Sequence, residues 1–139
     1  MTEQSKLRNT GCPVAYALDI FGDRWSLVII RDILIKGVKT YSELLNADER
    51  IATNILANRL KSLEKNGIIT KERDPDNRRQ FIYKITPMGC ELTPIILEMM
   101  RWSGKFDSNT KVTAQVKNRL ETDRQGFIND IKTRAFNRN

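Results

Sequence analysis

Apolar residues first gather at helical spacing in PVAYALDIF, which starts at Pro13 and is closed by Gly22. Proline suits the first position of a helix, where its missing N–H costs nothing. Asp23 can cap a second helix, in which Trp25, Leu27, Val28, Ile30, Ile33 and Leu34 are dense enough to predict a place in the core before Gly37 stops it. In TYSELL, Thr40 stands three residues ahead of Glu43, the spacing of a capping box, so a short third helix is expected from Tyr41. A fourth is expected from about Ala52 to Gly67. Ile55, Leu56, Leu60 and Leu63 share one of its faces; Thr53, Asn54, Ala57, Asn58, Lys61 and Ser62 occupy the other, with Arg59 beside them.

Past Gly67 the period drops to two. Ile68 to Lys71 predict a strand, DPDN a turn, and Phe81 to Ile85 the returning strand of a two-stranded hairpin. Thr86 and Pro87 then open an apolar helix through Leu92, Ile95, Ile96, Met99, Met100 and Trp102 toward Gly104, with Pro94 placed to kink or displace its start. After a polar break near Phe106–Thr110, Val112, Val116, Leu120, Phe127, Ile131 and Ala135 predict one last amphipathic helix. Its stripe needs a cover, and a second copy of the chain would supply one about a two-fold axis, with Val112, Val116, Leu120, Phe127 and Ile131 at the interface.

The expected fold class is therefore mainly α with a small two-stranded β-hairpin: a winged helix-turn-helix with extra terminal helices for dimerisation. Residues 1–11 read as a polar arm, 12–104 as the DNA-binding domain and 105–139 as the dimerising helix. A length of 139 residues fits one such domain. In a helix-turn-helix the second helix of the motif enters the major groove. Thr53, Asn54, Ala57 and Asn58 are then the residues expected at base edges, and Arg59 and Lys61 suit phosphate or guanine.

Charge supports that reading. The chain carries 24 Lys+Arg against 17 Asp+Glu, a formal charge of +7. The excess lies in residues 50–84 and 105–139, at +5 and +4, which suggests a polyanionic partner. Asn77, Arg78 and Arg79 fall at the hairpin tip, where unpaired cations would meet a phosphodiester backbone or a narrow minor groove. A solvated polar surface would look the same in isolation, and it is the helix-turn-helix context that favours DNA.

The chain has no histidine, which removes His-based acid/base catalysis, Ser/Cys–His nucleophiles and His-containing zinc sites. The remaining carboxylates are scattered, so no enzyme, metal or cofactor is expected. Two cysteines without a CxxC pair, no signal-like lead-in and no apolar run long enough to span suggest a cytoplasmic protein off the membrane. Trp25 and Trp102 fit a core or a subunit interface, and Cys90 fits the core. A winged-helix module for an acidic protein partner is the alternative to a DNA-binding regulator.

The stretches CPVAYALDIFGDRWSLVIIRDIL, YSELL, ILANRLKSLEKNGII, FIYKITPMGCEL and RWSG resemble the HxlR-type winged helix-turn-helix transcriptional regulators over residues 12–104. The resemblance implies a homodimer on a pseudo-palindromic double-stranded operator, and leaves a small-molecule effector open. It also implies a reading for Cys12 as a redox or electrophile sensor, since a thiol at a helix N-terminus oxidises readily; a structural role is the alternative. NADERIATN departs from the family's Pro-Gly-type approach to the recognition helix. Ala52 has no capping side chain, which leaves Thr53 as an alternative start.

Overall fold

The computed structural model describes residues 10–138, in the order α1 (Pro13–Phe21), α2 (Ser26–Leu34), α3 (Tyr41–Leu45), α4 (Thr53–Lys65), β1 (Ile69–Arg73), β2 (Phe81–Ile85), α5 (Pro87–Cys90), α6 (Thr93–Phe106), α7 (Ala114–Thr122) and α8 (Arg124–Arg138). Most of the expected arm, residues 1–9, lies outside the described residues.

Local chemistry accounts for the boundaries. The Asp23 carboxylate accepts from the backbone N–H of Trp25 and of Ser26, both at 3.0 Å, which satisfies donors that open α2. Thr40 Oγ accepts from Glu43 N at 3.2 Å, as a capping box requires. Helix α4 ends with Gly67 at φ +78°, Gly67 N on Glu64 O (3.1 Å) and Ile68 N on Leu63 O (2.9 Å). This paired closure needs a left-handed residue, and it delivers Ile68 and Ile69 into the core.

That core joins Ile30 and Leu34 of α2, Leu44 of α3, Leu56 and Leu63 of α4, and Leu97 of α6. The antiparallel strands pair Ile69 with Ile85 and Arg73 with Phe81. A bridge between Thr40 and Ile82, with Tyr83 N donating to Lys39 O at 2.7 Å, fastens the hairpin to the start of α3.

Two expectations are corrected. The apolar run after Thr86 is broken at Glu91–Leu92, because Pro94 can be accommodated only in the first turn of a new helix. The tail is two helices, separated at Asp123, whose backbone (φ −144°, ψ 50°) is not helical. The break folds the stripe back on its own chain. Leu120 and Ile131 are buried in the core, and Val116 and Phe127 pack against it; Val112 is half-buried. Of the side chains expected between subunits, Leu120 and Ile131 are therefore covered within one subunit, whereas Val112, Val116 and Phe127 keep part of their surface open. Helix α8 also donates a hydrogen bond from the Arg138 guanidinium to Leu34 O, at the end of α2. Ile95, Met99, Trp102 and Phe106 form an exposed stripe along α6, with Trp102 62% and Phe106 72% exposed.

Candidate nucleic-acid interface

Helix α4 is seated by Leu56, Leu60 and Leu63, all buried. Seating that face turns Thr53, Asn54, Ala57, Asn58 and Lys61 to solvent. Tyr41 OH donates to Thr53 O at 3.1 Å and so ties α3 to the first turn of α4. Ala52, in extended backbone (φ −67°, ψ 145°), occupies the cap position without a side-chain hydrogen bond. Thr53 is the first helical residue, so it is not the cap.

Arg59 behaves differently from its neighbours. It is half-buried, and its Nη1 lies 3.3 Å from Asp23 Oδ1. Its Nε donates to Asn58 Oδ1 at 3.0 Å and its Nη2 to the same oxygen. The guanidinium expected on phosphate or guanine is thus turned toward the head of α2, with its charge matched. Burial pushes the Asp23 carboxyl up, but hydrogen bonds from Ser26 Oγ and the backbone of Trp25 and Ser26, together with the Arg59 charge, outweigh it and hold the group below its ordinary value. Arg59 occupies the carbonyl oxygen of Asn58, whose NH2 has no partner among the described residues. A bidentate contact with adenine uses both atoms, so the Arg59 contact would have to yield.

The hairpin tip is held by short polar links. Asp74 accepts from Asp76 N (2.9 Å) and Gln80 Nε2 (2.7 Å), which draw its carboxyl below the usual range. Asn77 Oδ1 accepts from Arg79 N at 3.2 Å, and Arg78 O accepts from Arg73 Nη1 at 2.7 Å. Those links use the backbones of Arg78 and Arg79. Their guanidinium groups are exposed and have no partner among the described residues. Lys71 and Arg73 lie over the Phe81 ring at 4.2 and 4.7 Å, and Lys84 neutralises Glu72 at 2.7 Å. The hairpin beside α4 is therefore cationic at its tip, with its strands held by aromatic contacts and an ion pair.

Pattern reading missed two ties. One is Asp23–Arg59. The other is Arg31, which meets Glu49 Oε1 at 2.9 Å and Oε2 at 3.2 Å and so fixes the turn between α3 and α4 to α2. The hydrogen bond from Arg31 holds the Glu49 carboxyl below its ordinary value, against a smaller upward push from burial. Both ties span long sequence separations, so nothing local announces them. Cys12 is exposed immediately before α1. Cys90 is half-buried, and burial pushes its thiol up.

A polar helix face presented by a helix-turn-helix, beside a basic two-stranded wing, defines a DNA-binding transcriptional regulator of the winged-helix class. Residues 20–111 match the HxlR-like helix-turn-helix model, and the chain belongs to that family. It is 34% identical over 99 residues to the HTH-type transcriptional regulator YodB of Bacillus subtilis, covering 70% of this chain and 88% of YodB. The reduced form of YodB superposes with a TM-score of 0.57 at 31% identity, over 72% of this chain and 98% of that one. YodB is also known in quinone-bound and diamide-treated forms, each with a TM-score of 0.54, at 34% and 33% identity; each covers 68% of this chain, and 100% and 94% of YodB respectively. The redox regulator HypR in its oxidised form gives 0.59 at 29% identity, over 68% of this chain and 96% of HypR. Among the described residues no helix is long and apolar enough to cross a membrane.

Proposed function

We propose that two copies of this chain bind an inverted-repeat duplex in the cytoplasm, each placing α4 in a major groove and the tip of its wing on flanking backbone or minor groove. The observation that carries this reading is the unpaired Arg78–Arg79 tip beside the free polar face of α4. Thr53, Asn54, Ala57, Asn58 and Lys61 would meet bases and phosphates, and Arg59 would steady the helix. The pairing of two copies is supported by the exposed α6 stripe at i, i+4, i+7 and i+11 and, on α1, by exposed Val14 and Leu18 one turn apart. Apolar stripes of this kind on a small protein mark association surfaces.

The same arrangement supports a thiol-responsive regulator. Cys12 heads α1, the helix that carries Val14 and Leu18, so a modification there would alter the surface on which the subunits pair. The experiment that tests the whole reading is selection of bound duplexes from a random pool, followed by titration of the winners against scrambled DNA over a salt series. An inverted repeat with half-sites about one helical turn apart, or a multiple of it, and a steep loss of affinity with salt is the expected result. No enrichment in either reduced or oxidised protein would instead favour an acidic protein partner for the wing.

A further inference from the structure

The turn between α3 and α4 contains the single non-glycine residue with positive φ among the described residues, Arg50 at φ +55°. A β-carbon is poorly tolerated there, and glycine would adopt the conformation freely. The local fold explains why the backbone must turn. Arg50 N donates to Ala47 O at 3.0 Å, and the next residue, Ile51, is buried while Ala52 is already extended at the head of α4. The reversal therefore drops Ile51 into the core. It does not call for a guanidinium at the reversing position.

The surroundings make the charge more telling. Asp48 and Glu49 immediately precede Arg50, yet neither pairs with it. Glu49 is held by Arg31 through both carboxylate oxygens, and the nearest cation to Asp48 is Lys111 at 3.9 Å. The Arg50 side chain is exposed and has no partner among the described residues. The two carboxylates that would repel a phosphate each have a cation from elsewhere in the chain, while the arginine between them and the recognition helix is left free.

We propose that Arg50 is a DNA-backbone contact, a positioning clamp at the head of α4 for which the chain accepts a strained backbone. This rests on the reading of α4 as the helix that enters the groove. Arg50 would grip a phosphate at the groove edge and fix how far the N-terminal turn of α4 descends. Such a contact raises affinity for every duplex and does not read sequence.

The test uses the full chain and the selected duplex, with Arg50→Gly, Arg50→Gln and Arg50→Lys compared over a salt series beside Arg78→Ala/Arg79→Ala. Arg50→Gly is expected to raise the melting temperature while weakening binding about 30-fold at 0.15 M salt in a dimer, and lowering the salt slope by about 1.8, two phosphates' worth. Arg50→Gln, which keeps the strain, should lose the same slope, and Arg50→Lys should keep it. Native affinity and slope in Arg50→Gln would overturn the proposal even if Arg50→Gly were impaired, because the defect would then lie in the backbone. If the wing variant weakens binding and none of the charge-removing Arg50 variants does, the clamp fails and the regulator reading stands. If the unmodified chain selects no duplex, both fall.

Discussion

If Asp23 and Arg59 form a strut, removing the negative charge of Asp23 should weaken DNA binding; if Arg59 instead contacts DNA, the same change should strengthen it. Asp23→Asn separates the two because asparagine caps a helix about as well as aspartate, so the hydrogen bonds to Trp25 N and Ser26 N can persist. At 3.3 Å the pair has a gross attraction of roughly 5 kcal/mol at an effective dielectric of 20. Desolvation and side-chain ordering offset most of it, leaving about 1 kcal/mol for a pair whose side chains are 28% and 29% exposed. That corresponds to a melting temperature lower by about 3–4 °C. It also corresponds to as much as a fivefold fall per subunit in the population with α4 correctly seated. The assay is a double-mutant cycle of Asp23→Asn and Arg59→Gln, read by titration of a selected duplex and by thermal melting. The double variant should be no worse than either single one within about 0.5 kcal/mol, and Arg59→Gln should leave the salt slope unchanged. Tighter binding by Asp23→Asn, or a slope reduced by Arg59→Gln, would refute the strut. The pH dependence has a definite sign. Asp23 has its folded value depressed, so its contribution is complete above the ordinary carboxylate range and is lost as pH falls below about 4; Asp23→Asn should remove that acid limb.

Arg78→Ala with Arg79→Ala should weaken binding to selected and scrambled duplexes alike and reduce the salt slope of a dimer by about 3.6, measured in the same titrations. Trp102→Glu should shift sedimentation from dimer to monomer with little change in far-UV circular dichroism. Leu120→Ala should leave the assembly intact but cost about 2–4 kcal/mol of stability in denaturant unfolding, because Leu120 is buried within its own subunit. The reverse pattern would restore the tail as the subunit interface. Cys12→Ser should bind the duplex normally and no longer release it on addition of diamide or a quinone; unchanged release would remove Cys12 as the sensor.

Much of the frame was legible because local signals and tertiary packing agree. Thr40 and Glu43 announced α3, Gly67 the end of α4, and the change of period after it the wing. The tail shows where such reading stops. The spacing of Val116, Leu120, Phe127 and Ile131 states that a stripe must be covered, but periodicity carries no information on whether the cover is another chain or the same one. A single non-helical residue, Asp123, is what lets Leu120 and Ile131 turn into the core of their own chain. The recognition face divides in the same way. Its exposed positions follow from helical geometry once Leu56, Leu60 and Leu63 are in the core. The tie of Arg59 to Asp23 was not legible because Asp23 lies on another element, and no helical spacing relates the two.

The wing is fastened through its second strand to the residues that open α3, by the Thr40–Ile82 bridge and the Tyr83 to Lys39 hydrogen bond, while Tyr41 holds the first turn of α4. The wing and helix α4 are thus both tied to one short bracket. In the proposed complex, the interval within a subunit between a groove contact and its flanking backbone contact would be set before any DNA arrives. A duplex whose groove did not match that interval would have to be bent or twisted to fit, and sequences differing only in stiffness between the two contact points would be ranked by how cheaply they deform.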